Sequence, residues 1–90
     1  MSHDTPSHSH TLERLIYMAN QIGGFFASQG HDKAVAGTAN HIAKFWNARM
    51  RNQIFAYIDK GGEGLTPHVK EALQTLERKE QAAQQASQQQ

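Results

Sequence analysis

A chain of 90 residues holds one domain at most, and with no cysteine it can use neither disulfides nor thiolate metal sites as staples. Its formal net charge of +1 is too small for the basic footprint that usually marks nucleic-acid binding. No apolar run nears the ~20 residues that a membrane span requires, and no hydrophobic signal segment opens the chain, so the expected location is cytoplasmic.

The ends are polar. Residues 1–10 (MSHDTPSHSH) read as a disordered N-terminal segment and residues 80–90 (EQAAQQASQQQ) as a Gln-rich tail. Between them, residues 11–79 form the expected helical domain. It carries all nine Lys/Arg against six Asp/Glu, a net +3. A core this short is marginally stable alone, so a partner surface could supply the missing burial.

Four helices are predicted. The first spans about 11–28, with Thr11 as N-cap and Glu13 in the first turn. Leu12, Leu15, Ile16, Ala19, Ile22 and Phe26 make its stripe, at spacings of three and four. Gly23–Gly24 either lets another backbone approach closely or frays the helix end. The second helix spans about 32–46, led by Asp32, with Val35, Ala39, Ile42 and Trp46 on one face. The third spans about 48–60. Asn47 is its N-cap, Met50, Ile54, Tyr57 and Ile58 its stripe, and Gly61–Gly62 its stop. The fourth begins with Thr66 at the N-cap and Pro67 at the first helical position, and buries Val69, Ala72, Leu73 and Leu76. Gln and Ala both favour helix, so its end is open. The fold class that follows is all-α, a small bundle of about four short helices with flexible polar termini.

Little in the chain points to chemistry. His3, His8 and His10 have no fixed geometry, and His31, His41 and His68 form no i, i+4 zinc pair. The Gly61–Gly64 loop follows a helix and lacks the spacing of a phosphate-binding loop. No nucleophile–base pair stands out. The expectation is no catalytic residue, no metal site and no cofactor.

The informative stretch is His41–Arg51, HIAKFWNARMR. His41, Lys44, Phe45, Trp46, Arg49, Met50 and Arg51 gather aromatic, arginine and methionine side chains around one tight interhelical turn. These residue types are enriched at protein interfaces. For any one of them alone, the ordinary reading is a core aromatic or a solvated cation. Their density favours a partner-binding surface.

Several blocks resemble a known family. They are Met18–Gly23 (MANQIG) with Phe25–Phe26, His41–Trp46 (HIAKFW), Arg49–Arg51 (RMR), Gly64–Pro67 (GLTP) and Ala72–Leu73. In order and spacing they resemble the delta subunit of soluble NAD-dependent formate dehydrogenases, over about residues 12–76. One departure stands at Asn47-Ala48, where that family usually has Asp-Pro; the N-cap chemistry survives and the proline's restriction on φ is lost. The resemblance implies a non-catalytic, cofactor-free accessory subunit of a cytoplasmic molybdenum- or tungsten-dependent complex. Its partner would be the large catalytic alpha subunit, and its role assembly or stability. The competing reading from another class is a small helical nucleic-acid-binding regulator using Lys44, Arg49 and Arg51; Asp59, Glu63, Glu71 and Glu77 dilute its basic face.

Overall fold

The computed structural model describes residues 6–88 and contains four α-helices, with no strand among the described residues. They are α1 (Pro6–Phe26), α2 (His31–Phe45), α3 (Ala48–Asp59) and α4 (Pro67–Gln88), and a short 3-10 turn, Ala27–Gln29, joins α1 to α2. α2 packs mainly against α4 and α1, and α3 against α4 and α1. The four helices close around one core.

One boundary differs from the sequence reading, and another that it left open is now defined. α1 starts at Pro6 rather than at Thr11, which lies inside the helix. Proline suits the first helical position because its missing N–H would be unpaired there anyway. At the other end α4 continues to Gln88, so most of the expected Gln-rich tail is helix. Residues 1–5 and 89–90 of the two end segments lie outside the described residues.

The local signals explain the other ends. Asn47 accepts a hydrogen bond from the Met50 amide at 2.9 Å and caps α3, with Ala48 at the first helical position. Asp32 lies in the first turn of α2, where its charge suits the helix dipole, while the cap position belongs to Gly30. α3 ends in a double-bonded turn. The Gly61 amide donates to the Ile58 carbonyl and the Gly62 amide to that of Tyr57. Gly61 has a φ of 123°, which a side chain would oppose.

Ile42, Ile54, Val69 and Leu73 are fully buried. Burying each side chain contributes about 1.5–3 kcal/mol. Leu15, Ala19, Trp46, Phe55, Ile58, Leu65, Ala72 and Leu76 complete the centre. Thr38 is a buried exception whose hydroxyl has no hydrogen-bond partner among the described residues. Both roles weighed for Gly23–Gly24 are resolved at Gly23. A Cβ there would stand 2.2 Å from Val69 Cγ2 and 2.9 Å from His68 Nε2, and His68 Nε2 lies 2.9 Å from the Gly23 carbonyl oxygen. The absent side chain lets α4 seat directly on α1.

Asn20 fixes the loop that enters α4. Its Nδ2 donates to the Gly64 carbonyl at 2.9 Å, and its Oδ1 accepts from the Thr66 amide at 3.1 Å. The Tyr57 hydroxyl adds a hydrogen bond to the Glu63 carbonyl. The 61–66 loop is thus held by side chains from two helices.

Candidate functional site

The seven residues singled out around the α2–α3 turn divide between inside and outside. Trp46 is 4% exposed and belongs to the core, as the stripe Val35–Ala39–Ile42–Trp46 requires. Met50 is half-buried and packs against the same core. Arg51 turns inward: Nη1 donates to the Trp46 carbonyl at 2.6 Å, and Nε lies 2.6 Å from Glu80 Oε2. Trp46 therefore lies in the core and Arg51 is paired within the chain, where the sequence reading set both in a partner contact. The reason is long-range. Glu80 comes from the far part of α4 and neutralises Arg51 within the chain.

Lys44, Phe45 and Arg49 are exposed, and His41 is half-buried beside them. Phe45 is 65% exposed. The His41 ring lies 4.6 Å from the Phe45 ring, centroid to centroid, and Lys44 Nζ stands 5.8 Å from the Phe45 centroid. Lys44 occupies the last turn of α2, where a cation complements the helix dipole. Arg49 is placed against its dipole. It is exposed in the first turn of α3, a turn without any acidic residue, and makes no ion pair or hydrogen bond among the described residues. A cation at a helix N-terminus costs about 0.3–1 kcal/mol.

α1 extends this surface with residues that the sequence reading did not assign to it. Phe25 is 74% and Tyr17 64% exposed. Phe25 stands between two shallow hollows. Tyr17, Asn20, Gln21, Gly24 and Phe25 line one; Gln21, Ile22, Phe25, Phe26 and His41 line the other. His41 thereby ties the α1 aromatics to Phe45. Phe25 meets Phe26 edge to face at 5.0 Å, and the Phe26 ring rests where Gly37 has no side chain. Gln21 Nε2 donates to the Tyr17 hydroxyl at 2.6 Å. The missed signal was periodic. Tyr17, Gln21 and Phe25 recur every four residues on the side of α1 away from its buried stripe, and two aromatics on that side of an amphipathic helix are out of place.

Charge is segregated along the chain. No Asp or Glu occurs between Asp32 and Asp59, while Lys33, Lys44, Arg49 and Arg51 all do. Three carboxylates, Asp59, Glu77 and Glu80, line one hollow where α3 meets α4. Burial, and then the neighbouring Asp59 carboxylate, push the Glu77 carboxyl above its ordinary value. His31 and Glu71 add an exposed pair at 2.9 Å, a kind that contributes little. Among the described residues no three His, Asp or Glu side chains converge as metal ligands. No described helix is long and apolar enough to cross a membrane.

A family model described as NADH-dependant formate dehydrogenase delta subunit FdsD matches residues 14–73. That range includes the aromatic part of α1, all of α2 and α3, and the start of α4. No curated protein and no solved structure gives a match.

Proposed function

Because this chain belongs to the formate dehydrogenase delta-subunit family, we propose that it is a non-catalytic accessory subunit of a cytoplasmic NAD-dependent formate dehydrogenase. It binds the large catalytic alpha subunit and supports assembly or stability of the complex. The observation that carries this reading is the family match over residues 14–73, two thirds of the chain. The physical picture agrees with a binding role. The chain offers exposed aromatics beside uncompensated cations, and no cysteine that could hold an iron–sulfur cluster.

His41, Lys44, Phe45 and Arg49 are the residues of the α2–α3 turn that we assign to the contact. Trp46 and Met50 support it from the core, and Arg51 holds the turn in shape through Trp46 and Glu80. A nucleic-acid-binding role has less support, because internal pairing of Arg51 leaves two free cations in the region proposed for it, too few for a strong phosphate footprint.

The test is co-expression of the catalytic subunits with and without this chain. With it, the chain co-purifies with a tagged alpha subunit; without it, the yield of active formate dehydrogenase falls. Equal yields together with absence of the chain from the purified complex would contradict the assignment.

A further inference from the structure

We infer that the docking face reaches beyond the α2–α3 turn onto α1: Phe25 and Phe45, joined through His41 and flanked by Tyr17, seat an apolar segment of the catalytic subunit that is edged by carboxylates, which Lys44 and Arg49 meet. The identity of the partner rests on the accessory-subunit reading. The location of the face and the chemistry of its occupant rest on this chain alone.

Three observations fix the location. Tyr17, Phe25 and Phe45 are the large hydrophobics the fold leaves exposed among the described residues. Phe25 separates two hollows, and His41 lines one of them while touching the Phe45 ring, so α1 and α2 present one continuous surface. Gly24 lies in the other hollow, and nothing stands within 4 Å of where its Cβ would be. The surface is therefore aromatic, concave in two places and open.

Charge selects the occupant. The stretch that supplies the α2–α3 part of the face has no carboxylate of its own between Asp32 and Asp59. Arg51 has its counter-charge in Glu80, whereas Arg49 stands at a helix N-terminus with none. A cation held against a helix dipole and without a partner in the chain is relieved by an external carboxylate. A second copy of the chain, docked symmetrically on the same face, would set this carboxylate-free, cationic stretch against itself and supply no counter-charge from it. Nucleic acid would need more than these two cations, and the aromatics sit on helical surfaces rather than along a basic groove.

The experiment titrates the purified chain into tagged catalytic complex prepared without it, at two salt concentrations. Phe25→Ala with Phe45→Ala removes the aromatic part. Lys44→Glu with Arg49→Glu reverses the charge. Arg78→Glu with Lys79→Glu, on the exposed side of α4, is the control. All these side chains are exposed, and circular dichroism confirms that each variant folds. We expect about tenfold weaker binding or more for the aromatic pair. The charge-reversed pair should lose a similar factor and most of the salt dependence, while the control binds like the parent. If the parent binds and both test pairs bind equally well, the face is wrong and the accessory-subunit reading survives. If the parent does not bind the complex, that reading fails and takes this partner with it. Two further outcomes overturn the occupant: a dimer of the free chain that the aromatic pair dissolves, or retention on duplex DNA that the charge-reversed pair abolishes.

Discussion

The two sides of this small bundle handle polar and aromatic groups in opposite ways. Where α3 meets α4, Arg51 is matched by Glu80 and by the Trp46 carbonyl. Where α1 meets α2 on the outside, Phe25, Phe45 and Tyr17 stand in water, and in the first turn of α3 that follows, Arg49 has no counter-charge. The first side is satisfied within the chain. The second is left incomplete, as expected of a surface whose remaining contacts come from another protein. Adjacent residues show the contrast most sharply, because Trp46 and Phe45 share one turn and face opposite ways.

That pair gives the largest expected difference. Trp46→Ala should cost about 3–5 kcal/mol, enough to unfold much of the population of a domain this size. Phe45→Ala should change stability by no more than about 0.5 kcal/mol. Urea denaturation followed by circular dichroism measures both. A large loss for Phe45→Ala would mean that its ring supports the fold and is not held in reserve for a partner.

The glycine pair in α1 should separate in sign. Gly23→Ala drives a Cβ into Val69 and His68, and overpacking of this kind costs about 1–3 kcal/mol. Gly24→Ala meets open space and should stabilise the helix by up to about 1 kcal/mol. The same denaturation curves read both, and a matching sign would remove the close α1–α4 seating from the account.

The two arginines should differ as well. Arg51→Met loses the bond to the Trp46 carbonyl and strands Glu80, at about 1–2 kcal/mol. Arg49→Ala should be neutral or slightly stabilising, since a cation leaves the helix N-terminus. Equal losses in thermal melts would put both arginines in the same structural role.

These contrasts show which parts of the molecule were legible in the sequence. Asn47 as a cap, Gly61 as a stop and Thr66–Pro67 as a start are local signals, and the helix ends fall there. The stripes of α2 and α4 correctly put Ile42, Trp46, Val69, Leu73 and Leu76 inside. Periodicity cannot report an ion pair between residues 51 and 80, so Arg51 read as a free cation. Nor did the buried stripe of α1 draw notice to Phe25, whose meaning depends on His41 from another helix. Phe55, absent from the predicted α3 stripe, is buried because α3 is also covered by α4.

The smallest expected effect is pH-dependent and belongs to the α3–α4 side, where Glu77 and Asp59 set two carboxyls together. Burial and Asp59 raise the Glu77 carboxyl in the folded protein, so the folded chain holds that proton to higher pH than the unfolded chain does. Stability from this group therefore declines as pH rises from the ordinary carboxyl value of 4.5 through the raised one. Glu77→Gln should raise the melting temperature slightly at pH 7 and leave it unchanged at pH 4. An equal rise at both values would assign the effect to packing instead of charge.

The central claim, that the incomplete side is the docking side, is tested most directly by hydrogen exchange of this chain alone and within the formate dehydrogenase complex. The account predicts new protection of backbone amides in residues 17–26 and 41–49 on binding, with little change in residues 75–88. Protection concentrated in residues 75–88, with residues 17–26 and 41–49 exchanging as in the free chain, would contradict it.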